Sequence, residues 1–229
     1  MGSSVALMTE FLQQDLTGTR FERVRLNDAR FRDVDPVDDA PLVEAELDRR
    51  MPERARMRPD DSNGFREAWA ILLRLWDGTV ARARTFPEED LHRCVDDEWS
   101  FISTLRHLGF ASAAWVGRMV LGDPSPWHPL DLPWDEAPGW DGIPWDREAR
   151  PSLDETLVVR RERQAMVGRV LESLTDQQLA SEVTRTEPGW PQVEDLPVEQ
   201  ALRIVLNEEW EHRLYAERDL TAIEKGSPS

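Results

Sequence analysis

The 229-residue sequence predicts a mainly α-helical protein, an antiparallel four-helix bundle with a short β segment in front of it. Three observations predict this fold. Apolar residues recur at spacings of three and four along four long segments after residue 61, which is typical of amphipathic helices. A long proline-rich loop, residues 122–151, separates the second segment from the third, as in bundles that contain a crossover connection. Residues 11–35 instead repeat an apolar residue every five positions, a period that neither helix nor strand has.

The composition excludes several classes of function. The chain carries 45 acidic and 28 basic residues, a net charge of −17, so it lacks the basic footprint that nucleic acid requires. No apolar run approaches the length of about 18 residues that a membrane helix needs, and the first ten residues do not form a secretory signal. The single cysteine, Cys94, excludes a disulfide framework and favours a reducing cytoplasm.

The five-residue period defines the first predicted segment, residues 10–35, which resembles a pentapeptide-repeat β coil. Its few units make little more than one coil, which cannot bury a core by itself, so we expect it to dock on the rest of the chain. A β-hairpin or an irregular arm is the alternative. Residues 36–61 are predicted to be a linker with a short helix at 41–50. The repeated positions are Phe11, Leu16, Phe21, Leu26 and Phe31.

The region 62–225 is predicted to contain the bundle and no strand. The first helix, 64–86, ends at Pro87, and the second runs from the N-cap Ser100 to residue 121. The third begins at the capping box formed by Ser152 and Glu155.

Thr175 begins another short helix in the same way as Ser152. The fourth long helix starts with Pro197 at its first position and extends to about residue 225. This last helix is unusual because two titratable residues, Glu208 and His212, fall on the face that also carries apolar side chains. They are four positions apart, so their side chains are neighbours. A carboxylate and an imidazole in this geometry suit a divalent metal, whose third ligand has to come from another helix.

His107, on the edge of the apolar stripe of the second helix, is the candidate for that ligand because, apart from His212, no other histidine lies within a predicted helix. The alternative is a buried hydrogen bond between Glu208 and an imidazole, with His107 at the edge of the core. His92 and Cys94 are spaced like a ligand pair but lack a third ligand, and Cys94 is interpreted as a partly buried structural residue beside acidic neighbours. His128 is interpreted as a loop residue.

Four tryptophans in the proline-rich loop are interpreted as anchors that hold the loop in place rather than as residues that stack on a substrate. They are Trp127, Trp134, Trp140 and Trp145.

Two stretches carry a resemblance to a known family. Residues 98–108, EWSFISTLRHL, and 206–220, LNEEWEHRLYAERDL, resemble the second and last helices of DinB/YfiT-like four-helix proteins. That family usually has two histidines four apart in the last helix. This chain keeps the second as His212 and has Glu208 at the first position. The resemblance implies a metal site of His107, Glu208 and His212, and the carboxylate moves its preference toward harder ions.

The family is similar in fold to the mycothiol-dependent maleylpyruvate isomerases and to transferases that use mycothiol, bacillithiol or glutathione. The resemblance therefore implies a bacterial, divalent-metal protein whose ion (Zn, Ni, Co, Mn or Fe) activates a low-molecular-weight thiol as thiolate, in an S-transferase or isomerase. The alternative is a non-catalytic metal- or ligand-binding stress or accessory protein. A small thiol or an electrophile is the expected partner, nucleic acid and membrane are not, and monomer and homodimer both stay open. No residue identifies a substrate, because a fold does not determine a function.

Overall fold

A computed structural model describes residues 40–226 apart from 97, 136, 138, 140–143 and 188, with side chains from residue 44 onward. The predicted pentapeptide-like segment and Trp140 lie outside the described residues. The chain divides into two compact units, Met1–Pro52 and Glu53–Ser229. In the first unit, Glu46 accepts hydrogen bonds from Arg49 and Arg50 at 2.7 and 2.6 Å. These contacts lie within the short helix that the sequence predicts.

The described residues are mainly helical, as predicted. Their elements, in chain order, are α1 (Ala40–Arg50), α2 (Pro52–Ala55), α3 (Ser62–Ala83), α4 (Glu88–Leu91), α5 (Phe101–Ser112) with a π-helical continuation (Ala113–Val120), α6 (Leu153–Ser173), α7 (Asp176–Leu179), β1 (Glu182–Arg185), β2 (Val193–Pro197) and α8 (Val198–Glu224).

Four long helices of the second unit form the bundle. Helix α3 packs against α6 and α8, and α5 packs against the same two helices, so each long helix has two neighbours. The predicted apolar stripes supply the core between them, because a helix buries the side that repeats at three and four positions. A central cluster of buried residues joins the four helices and includes Trp76, Ile102, Leu105, Leu157 and Leu220.

Helix α5 differs from its prediction at its carboxyl end, where a π-helical turn replaces the regular α-helix. The backbone N–H of Leu121 donates to the carbonyl of Val116, five residues earlier, at 2.9 Å. This wider turn changes which side chains face the core, and Trp115 is half-buried. A Cβ on Gly117 would lie 2.8 Å from the Cβ of Pro126, so glycine allows the proline-rich loop to lie directly on the helix.

The prediction of no strand after residue 62 is wrong. Strands β1 and β2 form an antiparallel hairpin in which Glu182 pairs with Pro197 and Val183 pairs with Leu196. The strands have only four and five residues, and Leu196 is their only buried residue, so the sequence shows no alternation of apolar and polar positions. Val183 and Leu196 pack against Met119 in the π-helical continuation of α5. This apolar contact with the end of the helix stabilises the short hairpin.

The amino-terminal cap of α6 allows a direct test of a local prediction. The Oγ of Ser152 accepts from the N–H of Glu155 at 3.2 Å, and the Glu155 carboxylate accepts from the N–H of Ser152 at 2.8 Å, as the capping box predicts. We expect Ser152→Ala to lower the free energy of unfolding by about 1 kcal/mol, because the N–H of Glu155 loses its acceptor. Urea denaturation measures this change. Ser173→Ala, at the opposite end of α6, is the control and should change it by less than about 0.5 kcal/mol; equal losses would contradict the prediction.

Candidate metal centre

The three predicted ligands come together although they lie on two helices. One ligand atom from each of His107, Glu208 and His212 lies within 4.8 Å of the other two. Helix α5 contributes His107, and α8 contributes the other two from successive turns. The exposed fractions of the three side chains are 11%, 28% and 18%, so the site is largely buried yet still reaches solvent. This is the only such group of three or more His, Cys, Asp or Glu residues within the part of the chain that the structure describes.

Each imidazole is oriented by a backbone carbonyl. The Nδ1–H of His107 donates to the carbonyl of Leu132 at 3.0 Å, and the Nδ1–H of His212 donates to the carbonyl of Glu208 at 3.0 Å. A neutral imidazole has one donor and one acceptor nitrogen, so both rings keep the Nε2 lone pair for another partner. Carbonyl groups that hold the second nitrogen are the usual outer partners of histidine ligands.

The contact between His107 and Glu208 fits a cation. Nε2 of His107 lies 3.3 Å from Oε2 of Glu208. When Nδ1 carries the ring proton, both of these atoms are acceptors and repel each other, so a proton or a metal cation has to lie between them. Two imidazoles and one carboxylate are a donor set that divalent transition metals accept. The residues therefore fit the ion that the sequence predicts, while ligation by this set stays a prediction.

The electrostatics of the site keep both candidate ligands of α8 in the protonation state that a metal requires. Burial lowers the pKa of His212 to about 4, and the nearby His107 adds to this effect, so the imidazole of His212 is neutral at pH 7. Burial alone would raise the pKa of Glu208. The close contact with His107 and, next, the proximity of His212 outweigh burial, and the pKa of Glu208 lies below its ordinary value. Glu208 is therefore a carboxylate at neutral pH.

Aromatic rings form the walls of the site. The ring of Trp99 lies 4.4 Å from that of His107 and 6.1 Å from that of His212, measured between centroids. The ring of Tyr215 lies 5.9 Å from that of His212, and the two imidazole rings lie 4.9 Å apart. The indole N–H of Trp99 donates to Asp135 at 3.1 Å, which fixes its orientation. The prediction did not include Trp99, whose position directly before the N-cap of α5 is the only sequence signal for its role.

The loop after α5 is fastened to that helix by a buried arginine. Arg106 donates through Nε to the carbonyl of Leu130 and through Nη1 to that of Ala149, both at 2.8 Å. It also donates to the carbonyl of Asp146. These bonds hold the loop that contains Leu132, whose carbonyl orients His107, so Arg106 acts on the site through the loop.

Asp131 fastens the same loop to α6. Its carboxylate is buried, accepts the backbone N–H of His128 at 2.7 Å and pairs with Arg163 at 3.0 Å. Burial raises the pKa of Asp131 in spite of these partners. A Cβ on Gly109 would lie 3.0 Å from Asp131, so the absence of a side chain at Gly109 allows the loop to lie close to α5.

We expect Arg106→Met to weaken metal affinity by about 10- to 100-fold, the usual effect of removing an outer partner of a metal ligand. The loop then loses three hydrogen bonds, and the Leu132 carbonyl no longer holds His107 in one orientation. Competition with a chromophoric chelator measures the affinity, and circular dichroism checks that the variant is folded. Arg150→Met is the control, because Arg150 lies in the same loop and pairs with Glu89 on the surface, with 63% and 89% of their side chains exposed. An equal effect of both variants would contradict the role of Arg106.

Three of the four loop tryptophans pack on Phe110 of α5, as anchors of the loop would, and the fourth, Trp140, lies outside the described residues. Phe110, one turn after His107, is buried beneath a group of rings whose centroids lie 5.5–6.1 Å from its own. The group consists of Trp127, Trp134, Trp145 and Trp190, of which the last comes from the β1–β2 connection and was not predicted.

The remaining candidates lie outside the metal centre. His92 and His128 are not members of the three-residue group. Nδ1 of His128 accepts the N–H of Leu130 at 3.1 Å, which agrees with its interpretation as a loop residue. Cys94 is exposed, so the prediction that it is partly buried is wrong. It lies in the segment between α4 and α5, where the chain makes a turn in which Asp96 has a positive φ of 54°.

The apolar face of α8 contains a charged residue that the sequence reasoning missed. Glu209 is 1% exposed, more buried than Glu208, and it pairs with Arg160 of α6, which is 3% exposed. Arg160 lies in the same stripe of α6 as the buried Thr156 and Val167. The sequence signal was present, because an arginine and a glutamate both stand at positions that repeat with apolar residues.

Two imidazoles and a carboxylate meet where two helices of the bundle are in contact. The protein is therefore a helical bundle with a candidate metal centre. The model of one family, the DinB superfamily, matches residues 71–216, a range that contains all three candidate ligands. The chain belongs to the DinB superfamily. No curated protein and no solved structure matches it. No helix among the described residues is long and apolar enough to cross a membrane.

Proposed function

We propose that this protein binds one divalent metal ion through His107, Glu208 and His212 and uses it in the chemistry of a low-molecular-weight thiol. The observation that carries the proposal is the approach of three ligand atoms from α5 and α8 to within 4.8 Å of one another. His212 is neutral and Glu208 is ionised, so neither has to lose a proton before it binds a cation. The carbonyl of Leu132 fixes the orientation of the His107 ring.

A divalent ion held by these side chains would supply a positive charge that favours the thiolate form of a bound thiol. Three protein ligands leave at least one position of a four- to six-coordinate ion for an outside molecule. Glu208 and His212 keep some exposure to solvent, which would let an outside molecule reach that position. Glu208 contributes a negative charge, so thiol activation is milder than in a site of three imidazoles.

Thiolates attack electrophilic carbon, the step that thiol S-transferases and thiol-dependent isomerases share. We therefore infer an S-transferase or isomerase that works in a bacterial cytoplasm, where mycothiol, bacillithiol or glutathione is kept reduced. The partners that this requires are a small thiol and an electrophile. The competing proposal is an accessory protein that keeps the metal and has no turnover.

Cobalt substitution tests the proposal. Protein purified without a histidine tag is first analysed for its native metal, then stripped and loaded with cobalt. The Cys94→Ser variant is used throughout, so that the exposed thiol of the protein cannot contribute. We expect mycothiol, bacillithiol or glutathione to produce a saturable sulfur-to-cobalt band in the near ultraviolet, and Glu208→Gln to shift its titration.

The absence of this band with every thiol, in protein that binds cobalt stoichiometrically, would reject thiol activation in favour of the accessory protein. The absence of cobalt binding would reject the metal site itself.

A further inference from the structure

The centre of the bundle contains a charged pair that the metal site does not need for ligation. Arg160 on α6 and Glu209 on α8 have side chains that are 2% and 1% exposed, and Nη2 of the arginine donates to Oε2 of the glutamate. Taking two charges out of water is unfavourable, and a pair of apolar residues is often at least as stable. A stabilising role alone therefore does not explain the pair.

The pair is also incompletely hydrogen-bonded. Among the residues that the structure describes, neither Nε nor Nη1 of Arg160 has an acceptor, and Oε1 of Glu209 has no donor. Buried polar side-chain atoms normally have partners, and an unpartnered atom of a charged group is especially unfavourable. The Cζ of Arg160 lies 5.5 Å from the centre of the Trp76 ring, so this indole covers part of the guanidinium. Nε–H and Nη1–H are the groups left for a ligand.

The position of the pair links it to the metal centre. Glu209 directly follows Glu208 and precedes His212 by three residues, the spacing of neighbours on one helix face. Arg160, bonded to Glu209, therefore contacts the side of α8 that also carries His212. Its charge also contributes, after burial and the nearby His107, to the lowered pKa of His212.

We propose that Arg160 is a substrate-binding residue of the metal site, whose Nε–H and Nη1–H take the carboxylate of a small thiol or electrophile while its reacting group lies at the metal. This inference rests on the proposed function and narrows its substrates to molecules that carry a carboxylate close to the reacting group. Arginine suits this task because it keeps its charge when buried and presents several N–H groups in one plane.

Two small thiols of similar size test the inference on the cobalt-loaded Cys94→Ser protein. Mercaptoacetate carries a carboxylate, and 2-mercaptoethanol carries a hydroxyl in its place. We expect the band titration to show that mercaptoacetate binds at least about 10-fold more tightly, the effect of one buried hydrogen bond between charged groups. A carboxylate also chelates cobalt directly. The decisive quantity is therefore the ratio of the two dissociation constants, 2-mercaptoethanol over mercaptoacetate, and how this ratio changes when Arg160 is replaced.

Arg160→Met by itself leaves Glu209 without its partner, so the test uses the double variant Arg160→Met/Glu209→Leu, which replaces the pair by apolar residues of similar size. We expect the ratio to fall by about 10-fold in this variant. Arg84→Met is the control, since Arg84 pairs with Asp154 on the surface, with 47% and 77% of their side chains exposed. The ratio should not change there. An unchanged ratio in the double variant overturns the inference.

A second measurement does not depend on thiols. The ¹H–¹⁵N signal of Arg160 Nε, assigned by its loss in the double variant, is followed while acetate is added to the zinc-loaded protein. We expect a saturable shift of this signal. A shift without any thiol band would keep Arg160 as an anion-binding residue and reject the thiol function. A signal that acetate leaves unchanged would overturn the inference even if both thiols bind the cobalt.

Discussion

Replacing either His107 or His212 by alanine is expected to abolish stoichiometric metal binding. Each residue supplies one of the three ligand atoms that meet within 4.8 Å, and two protein ligands hold a divalent ion far less tightly than three. Metal analysis of the purified variants, combined with thermal unfolding with and without added zinc, measures the loss. The wild-type melting temperature should rise with zinc, because a ligand that binds only the folded state stabilises it. That of the two variants should not.

The other two histidines are matched controls for this experiment. His92→Ala and His128→Ala change an imidazole outside the three-residue group and should keep both the metal and the zinc-dependent rise in melting temperature. Loss of the metal in the His92 variant together with its retention in the His107 variant would show that the ligand set is wrong. Loss in all four variants would indicate a general effect on folding, which circular dichroism detects.

The second large effect is expected for the buried pair of Arg160 and Glu209. Removing either member alone should lower the free energy of unfolding by about 3–5 kcal/mol, because the remaining charge is buried without a partner. Both side chains are almost fully inaccessible to solvent, so rotation alone does not expose the remaining charge to water. Urea denaturation of Arg160→Met and Glu209→Leu, each compared with wild type, measures the two losses.

The double variant Arg160→Met/Glu209→Leu separates pairing from packing. It should unfold at a free energy close to that of wild type or above it, since apolar pairs of similar volume replace buried ion pairs with little loss. The two single losses are then strongly non-additive, as expected for residues in direct contact. If the double variant lost the sum of the single effects, the two residues would act independently and the pair would have no special role.

The two predicted effects concern different properties of one region. The candidate metal ligands of α8, His212 and Glu208, lie at the edge of its buried face and keep some exposure to solvent. Glu209 lies at the centre of that face and has almost none. Removing a metal ligand should therefore change binding more than stability, and removing one member of the pair should change stability more than metal binding.

Much of the helical framework could be predicted from the sequence because helix ends depend on local contacts. Ser100, Ser152 and Thr175 each accept a backbone N–H three residues later, as their positions before apolar runs predict. The pairing of Glu208 with His212 is local in the same sense, since four residues make about one helical turn. His107 was a candidate because it is the other histidine in a predicted helix, and the family resemblance supported it, but no local rule places it beside Glu208, from which 101 residues separate it.

What the sequence determined by itself, then, were helix ends, apolar stripes and ligands one turn apart, all set by interactions within a few residues. The tertiary structure alone decided which distant groups meet. It placed the carbonyl of Leu132 on His107 from 25 residues away and Glu209 on Arg160 from 49 residues away. It also decided that residues 182–197 pair as a hairpin on α5. Such contacts depend on how helices and loops pack, and no short-range periodicity encodes packing between segments far apart in the chain.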